Sequence, residues 1–319
     1  MVISQKNPDE KQQLNLKVIT WGDLTWVDIV EPNEAAKKYL MEHYNFHPMD
    51  MEDFLSRHQL SKVDEYEQYL FAIFHIPVYD KVTKISTKRQ WSAFIGDKYL
   101  VTLRPAQLQA IDDIRRECEF SEDVKKDYFS KGSGYLLYLI MDRAVDSYFP
   151  ILDKLFNLVD DIEDSVFDVE KEVAKEISIL RRDIITQRRV MFPERTLQAE
   201  LEVKLKRFTK IDLTVHLNDL RDHMNKICET LDECKEVIEV FKDADNVLSS
   251  YRANRVIRTI AVILALALPF ILVAGLFSMN VRLPGSLEQG NYVPFFILLF
   301  LMLAASGAIL LFLRRKRII

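Results

Sequence analysis

The sequence predicts an α/β domain, long helices that include a stalk, and two C-terminal transmembrane helices. Three observations support this prediction: strand-like segments occupy residues 15–105, a heptad pattern follows residue 211, and two apolar runs lie near the C-terminus. Charged residues make up 29% of the chain, yet residues 259–279 and 293–313 contain none. A polar body is therefore joined to an apolar C-terminal part, and the two parts need different environments.

Residues 15–105 have the pattern of strands with two helices between them. Five segments alternate or cluster β-branched and aromatic residues, as strands do. These segments are KVITW, TWVDIV, YLFAIFHIPVYD, KISTKRQWSAFIG and KYLVTLR. A proline followed by an asparagine is a helix start signal, so one helix is expected at 33–44, and a second is expected at 49–57.

A stalk helix is expected before the first apolar run. Apolar residues recur there in alternating steps of four and three, a heptad seam that favours packing of one helix against another. The seam consists of Leu213, Leu217, Leu220, Met224, Ile227, Leu231, Cys234, Ile238, Phe241 and Leu248, with Asp245 in its one gap. No proline or glycine interrupts residues 213–268, so one helix of roughly 80 Å is expected to continue into the membrane.

The two apolar runs are predicted to cross a membrane. Each has about 21 residues and would form a helix of about 31 Å, close to the hydrocarbon thickness of a bilayer. Basic residues flank the hairpin: Arg252, Arg255 and Arg258 precede it, and Arg314, Arg315, Lys316 and Arg317 follow it. The connecting loop holds only Arg282 and Glu288, so the positive-inside rule places both termini in the cytoplasm. The expected location is the plasma (inner) membrane, with two passes and lipid as a partner.

These patterns set the expected domain boundaries. They are 1–130 for the cytoplasmic α/β domain, 131–210 for the long cytoplasmic helices, 211–258 for the stalk helix, 259–279 and 293–313 for the membrane helices, 280–292 for the external loop, and 314–319 for the basic cytoplasmic tail.

Composition and motifs argue against several functions. A net charge of −5 lacks the basic excess that phosphate neutralisation needs, so no nucleic-acid partner is expected. The cysteines have no metal-site spacing and are expected to be reduced thiols. No GxxxxGK[ST] or HExxH motif occurs, and the histidines are scattered without a nucleophile–base spacing. The chain is therefore not expected to be an enzyme.

One face of the first membrane helix has two interpretations. Residues three or four positions apart share this face, which we call the stripe. The stripe consists of Asn254, Ile257, Ala261, Leu264, Leu268, Ile271 and Gly275. It is expected either to pack against the second membrane helix or to line a pore with a polar entrance and a hydrophobic constriction. Neither membrane helix contains an ionisable residue, which leaves an anchor or an assembled pore with neutral walls.

The order of these features resembles that of the CorA-type divalent-cation channels, which carry a Gly-Met-Asn signature after the first membrane helix. The resemblance covers most of the chain and rests on several segments that occur in the family's order. They are WVDIVEP at 26–32, FHPMDMEDFLSRHQLSKVDEYEQYLFAIFHIP at 46–77, GYLLYLIMDRAVDSYFPILDKL at 134–155, LRRDIITQRRVMFPERTL at 180–197, NDLRDH at 218–223 and NRVIRTIAVILALALPFILVAGLFSMN at 254–280.

The resemblance implies a funnel-shaped homopentamer with five stalks around one axis. It implies that Asn280, preceded by Ser278 and Met279, forms an outer ring that meets the incoming ion, and that the stripe lines the pore. Asp219 matches a stalk aspartate that the family uses as a cytoplasmic metal site. A neighbouring subunit would supply the partner carboxylate soon after its last strand, where Gln109 aligns and Asp112 and Asp113 lie just beyond. Asp112 is taken as the candidate, and Asp222 is a further stalk acid for this site.

The signature departs from the family pattern at one position, where Ser278 replaces the glycine. Neutral amide oxygens of Asn280 suit a hydrated Mg²⁺, which loses its water reluctantly. Mg²⁺ is therefore the expected ion, both transported and regulatory, and influx is expected to be passive. Because serine restricts the backbone at the pore mouth, Co²⁺, Ni²⁺ and Zn²⁺ are alternatives. A scaffold or sensor that is anchored in the membrane and conducts nothing is another alternative.

Overall fold

The computed structural model describes residues 14–56, 59–80, 82–83, 85–168, 171–278 and 293–315. The chain divides into two compact units, one that ends at Lys242 and one that begins at Asp243. The first unit contains a mixed sheet and helices, and the second contains the end of one long helix together with a second apolar helix. The predicted architecture of an α/β domain, long helices, a stalk helix and two apolar C-terminal helices is confirmed.

A six-stranded sheet with the order β1-β2-β6-β5-β4-β3 forms the centre of the first unit. Its strands are β1 (Leu16–Trp21), β2 (Leu24–Val30), β3 (Lys62–Glu65), β4 (Tyr69–Asp80), β5 (Ile85–Gly96) and β6 (Tyr99–Arg104). Neighbouring strands are antiparallel except for β2 and β6, which are parallel. Five strands match the five predicted segments, whereas the short strand β3 was not predicted.

Both faces of the sheet are covered, because successive side chains on a strand point to opposite faces. On one face, Phe71, Ile73 and Phe94 belong to a core cluster that also contains Leu40 and Met51 from the first two helices. On the other face, helix α7 (Ala174–Leu205) packs across β4 and β5. The inner strands therefore form a buried layer between two sets of helices, whereas the edge strand β1 has no buried residue.

Nine helices are present in the part of the chain that the structure describes. They are α1 (Glu34–His43), α2 (Pro48–Asp53), α3 (Gln109–Phe120), α4 (Glu122–Ser130), α5 (Ser133–Asp146), α6 (Phe149–Val166), α7 (Ala174–Leu205), α8 (Thr214–Ser278) and α9 (Val293–Arg315). The expected start of α1 is confirmed, since the Asn33 side chain accepts a hydrogen bond from the Ala36 backbone N–H at 3.1 Å. The second helix, α2, ends at Asp53, earlier than the predicted residue 57.

The predicted heptad seam is buried along the N-terminal half of α8. Seam residues from Leu213 to Phe241 are at most 4% exposed, and Asp245 in the gap is 8% exposed. Polar contacts show that α7 and α8 run antiparallel. They join Arg181 to Glu239, Arg188 to Asp232, Gln198 to the Leu217 carbonyl, and Glu202 to Arg221. The seam is therefore covered by helices of the same chain, and it is not left exposed for a coiled coil with another copy.

Candidate cation sites

A cluster of possible metal ligands lies where α5 meets α8. One ligand atom from each of Asp142, Asp219 and His223 lies within 4.8 Å of the others. His223 Nε2 is 3.9 Å from Asp219 Oδ1, and His223 Nδ1 is 3.4 Å from the carboxylate of Asp146. We call Asp142, Asp219 and His223 the cytoplasmic cluster, after the compartment that the flanking basic residues predict for this part of the chain.

Helix geometry explains why these side chains meet. Asp219 and His223 are four residues apart on α8, and Asp142 and Asp146 are four residues apart on α5, so each pair shares one helix face. The ring of His223 is held edge-on against Phe149, with ring centroids 5.6 Å apart. Packing of α5 and α6 against α8 therefore brings three carboxylates and an imidazole to one place.

The electrostatics of the cytoplasmic cluster favour a bound cation. Burial raises the pKa of Asp142, and the neighbouring carboxylate of Asp146 raises it further. Asp219 is largely exposed, so the cluster is open to solvent on one side. Within the described residues, His223 Nδ1 makes no hydrogen bond of good geometry, although it lies within ion-pair distance of Asp146. A divalent ion would relieve the repulsion between these carboxylates.

Asp112 lies in a different environment from Asp219. The guanidinium of Arg104, whose side chain is 1% exposed, bonds to Asp112 at 2.7 Å and to the buried Asp28 at 2.9 Å. Arg115 also contacts Asp112, at 3.3 Å. Burial disfavours the charged form of Asp112, but hydrogen bonds from Arg104 and then Arg115 outweigh it and lower its pKa. Within one chain, Asp112 therefore serves as a counter-ion for arginine and does not belong to the cytoplasmic cluster.

The structure does not bring Asp222 to the cluster either. Asp222 is exposed on α8, three residues from Asp219, and it is not one of the three residues of the cluster. Sequence reasoning missed Asp142 and His223. The two i,i+4 pairs, Asp142 with Asp146 and Asp219 with His223, were the available signal, but nothing in the sequence shows that α5 contacts α8.

The stripe on the C-terminal half of α8 is exposed along its whole length. Ile257, Leu264, Leu268 and Ile271 are 63%, 59%, 53% and 60% exposed, and Asn254, Ala261 and Gly275 are also exposed. The partly covered positions of this segment include Val262, Leu266, Pro269 and Val273, which lie on the other side of the helix. The interpretation of the stripe as the contact surface for the second membrane helix is therefore wrong.

The second membrane helix contacts α8 on the side away from the stripe. The Ser306 hydroxyl of α9 donates a hydrogen bond to the Leu266 carbonyl at 3.2 Å. This bond lies beside the turn where Pro269 removes one backbone donor and frees the carbonyl of Ala265. The serine therefore bonds to the carbonyl next to the freed one, on the face that α9 covers.

The outer tripeptide is described only at its first residue. Ser278 is exposed and is the last residue of α8. Met279 and Asn280 lie outside the described residues, as does the loop at 281–292. The role of Asn280 therefore stays a prediction.

Both C-terminal helices are long and apolar enough to cross a membrane, and the described spans are not buried within the chain.

Comparison with known proteins identifies the family. The model of the CorA-like Mg²⁺ transporter proteins matches residues 21–315. YfjQ from Bacillus subtilis, which is named as a metal ion transporter, is 28% identical over 80% of this chain and 78% of its own length. The cobalt/magnesium transport protein CorA of Thermotoga maritima is 23% identical over 80% of this chain and 73% of its own. The zinc transport protein ZntB of Pectobacterium atrosepticum is 24% identical over 70% of this chain and 66% of its own.

The fold is shared with a complete solved transporter. The structure is similar to that of the CorA magnesium transporter from Methanocaldococcus jannaschii, with a TM-score of 0.73, 21% identity and coverage of 93% of this chain and 92% of the other. The family match spans the α/β domain, the stalk and both apolar helices. The chain therefore belongs to the CorA-like Mg²⁺ transporter family, a family of two-pass membrane proteins that transport divalent metal ions and are not enzymes.

Proposed function

We propose that this chain forms a homopentameric pore, funnel-shaped and set in the plasma (inner) membrane, that admits Mg²⁺ passively. The observation that carries the proposal is the stripe, which α9 leaves uncovered on the far side of α8. Five copies of α8 arranged with their stripes inward would enclose a narrow channel with neutral walls. The N- and C-termini would then be cytoplasmic, as the flanking basic residues predict.

The composition of the stripe suits a gated pore. Asn254 would give a polar ring at the cytoplasmic end, whereas Leu264, Leu268 and Ile271 would give a hydrophobic constriction that closes by losing its water. A divalent ion that moves across 100 mV gains about 4.6 kcal/mol, since each elementary charge contributes about 2.3 kcal/mol. The membrane potential is therefore a sufficient driving force, and no coupling ion or nucleotide is required.

The outer mouth would select the ion by its hydration shell. In a pentamer, Asn280 would contribute five neutral amide oxygens that hydrogen-bond to the water around the ion. Ser278 and Met279 would lead from this ring into the channel. Neutral oxygens bind weakly enough for the ion to leave, whereas a ring of carboxylates would hold it more tightly.

The cytoplasmic cluster would act as the regulatory site. A cation bound by Asp219, Asp142 and His223 would join α5 to the stalk helix α8 and stabilise one arrangement of the two. Loss of the ion would restore the repulsion between the carboxylates and loosen this contact. Internal cation would therefore favour the closed state by differential binding, and the coupling would be reciprocal.

A second candidate is transport of Zn²⁺, Co²⁺ or Ni²⁺. His223 supports it, because an imidazole ligand suits these ions better than Mg²⁺, which prefers oxygen. The match to a zinc transport protein and the serine at position 278 agree with this candidate. Competition between Mg²⁺ and each of the three ions for uptake would separate the two candidates.

The test is uptake by proteoliposomes that contain either the wild-type chain or Asn280→Ala. We expect Asn280→Ala to lose Mg²⁺ uptake while keeping the pentameric mass, because the variant removes only the outer amides. Asn291→Ala is the matched control, since it changes the same residue type in the same loop, and we expect it to retain uptake. Unchanged uptake by Asn280→Ala would contradict the proposed ring. A pentamer that conducts no ion under any gradient would instead support a scaffold or sensor.

A further inference from the structure

The first compact unit contains a pocket that the transport function does not use. It has a volume of about 60 Å³ and lies between strands β4 and β5 and helices α5 to α8. Most of its lining is apolar and buried, and it includes Phe74, Trp91, Val145, Met141, Met191 and Met224. Ser147, which is exposed, also lines the pocket, so the pocket reaches the protein surface.

One polar atom in this pocket has no partner. His75 is 2% exposed and lines the pocket, and its Nε2 atom makes no hydrogen bond to any residue that the structure describes. An unpaired buried polar atom costs free energy, so its presence needs a physical reason.

The neighbours of His75 determine which of its ring nitrogens carries the hydrogen. The Ser61 hydroxyl donates a hydrogen bond to Glu194 Oε1, which uses the only hydrogen of that hydroxyl. Ser61 Oγ must then accept from His75 Nδ1, which is 3.0 Å away. Glu194 Oε1 also accepts from the His75 backbone N–H at 2.8 Å. In the neutral ring, Nε2 is therefore a free acceptor that is held in place by a buried carboxylate.

Two hydroxyls of the lining are already hydrogen-bonded within the chain. The Tyr148 hydroxyl donates to Gln187 Oε1, and the Ser147 hydroxyl donates to the Ala144 carbonyl at 2.7 Å. Glu194 accepts from the Ser61 hydroxyl and from the His75 backbone N–H through its Oε1 atom. A water molecule needs about 10–15 Å³ of such volume, so the pocket has room for more than one water. His75 Nε2 is the one buried side-chain atom of its described lining that makes no hydrogen bond to the protein.

We propose that the pocket binds a small organic molecule with an apolar body and one hydrogen-bond donor, of the short-chain alcohol class. The hydroxyl would donate to His75 Nε2. The carbon chain would lie against Phe74 and Trp91, whose rings are stacked with centroids 4.2 Å apart. A cavity of about 150 Å³ accommodates benzene, so a pocket of this size takes a molecule of only a few heavy atoms.

The pocket also adjoins the cytoplasmic cluster. Met141 and Met224 line the pocket, and their sequence neighbours Asp142 and His223 belong to the cluster. A molecule in the pocket would contact α5 and α8, the two helices that the cluster joins. Occupancy of the pocket and of the cluster would then be coupled through these helices. This coupling rests on the proposed regulatory role of the cluster, whereas binding in the pocket does not.

The test uses 2-bromoethanol, whose bromine quenches tryptophan fluorescence, with the full-length chain in detergent. We expect saturable quenching in the wild type and loss of the saturable component in Trp91→Phe, because Trp91 lines the pocket. The ether 1-bromo-2-methoxyethane has no donor and should bind about three- to tenfold more weakly, the usual effect of one neutral hydrogen bond. His75→Leu should abolish this difference between the two probes.

A second variant tests the pocket independently, in case His75→Leu does not fold. Ala144→Leu fills the pocket and leaves His75, Ser61 and Glu194 intact, and we expect it to remove saturable quenching by both probes. Quenching that rises linearly with concentration in every protein would overturn the proposed site. Equal affinity of the two probes for the wild type would overturn the role of Nε2. Equal affinity of 2-bromoethanol with and without Mg²⁺ would overturn the coupling and leave the pocket as a binding site.

Discussion

The two halves of α8 differ in what covers them. In the N-terminal half, the apolar seam from Leu213 to Phe241 is at most 4% exposed and packs against helices of the same chain. In the C-terminal half, the stripe from Asn254 to Gly275 is exposed throughout, although its residues are spaced as regularly as those of the seam. The same periodicity therefore predicts a buried face in one half, and in the other a face that lipid or further copies must cover.

This difference explains how the protein separates stability from transport. The first unit contains its own buried core, to which the seam belongs. The stripe has no partner within the described part of the chain, which leaves it available for assembly around a pore. Changes in the seam should therefore affect folding, and changes in the stripe should affect ion passage.

The largest expected effect is the difference in stability between two leucine substitutions on α8. Leu220→Ala removes a side chain that is fully buried in the seam and should lower the free energy of unfolding by about 2–5 kcal/mol. Leu268→Ala truncates a side chain that is 53% exposed, and it should change the free energy of unfolding by less than about 0.5 kcal/mol. Thermal unfolding of both variants in detergent measures the difference. Equal destabilisation by the two substitutions would remove the distinction between seam and stripe.

A smaller effect is expected at the cytoplasmic cluster, where we propose that the packed half of α8 binds a regulatory ion. Asp219→Asn removes one carboxylate of the cytoplasmic cluster and should raise the Mg²⁺ concentration for half-maximal thermal stabilisation about tenfold, which corresponds to about 1.4 kcal/mol. Asp153→Asn on α6 is the control, because Asp153 is exposed and lies outside the cluster. Unaltered Mg²⁺ stabilisation of Asp219→Asn would show that the cluster does not bind the ion.

The sequence predicts much of this fold but little of the cluster. Five strands and the stalk follow from local patterns of apolar residues, whereas β3 is short, has only one buried residue, Val63, and is defined by its pairing with β4. Asp219 was identified through the family resemblance. Asp142 could not be assigned to the same site, because its proximity arises from packing of α5 against α8. Asp112 could not be recognised as a partner of Arg104 without the turn between β6 and α3.

The smallest expected effect is a pH dependence of cation binding. Burial and then Asp146 raise the pKa of Asp142, so a proton competes with the metal ion at a higher pH than for an ordinary aspartate. Mg²⁺ affinity should fall as the pH falls through this raised pKa, by at most about tenfold per pH unit for one displaced proton. Titration of the Mg²⁺-dependent midpoint of unfolding against pH measures the effect.

The matched variant for this measurement is Asp142→Asn, which cannot be protonated in this range. We expect its Mg²⁺ affinity to be weaker at neutral pH and to depend less on pH than that of the wild type. A pH profile identical in the two proteins would assign the titration to another group.

The most direct test asks whether the stripe faces a water-filled channel between copies of the chain. The native cysteines should not react with a water-soluble thiol reagent, because all three are buried and burial raises the pKa of each thiol to about 11. Leu264→Cys places a thiol on the stripe, and Val262→Cys places one on the side towards α9. We predict that a charged, water-soluble thiol reagent blocks Mg²⁺ uptake through Leu264→Cys and leaves Val262→Cys conducting. Block of Val262→Cys with continued uptake through Leu264→Cys would contradict a pore lined by the stripe.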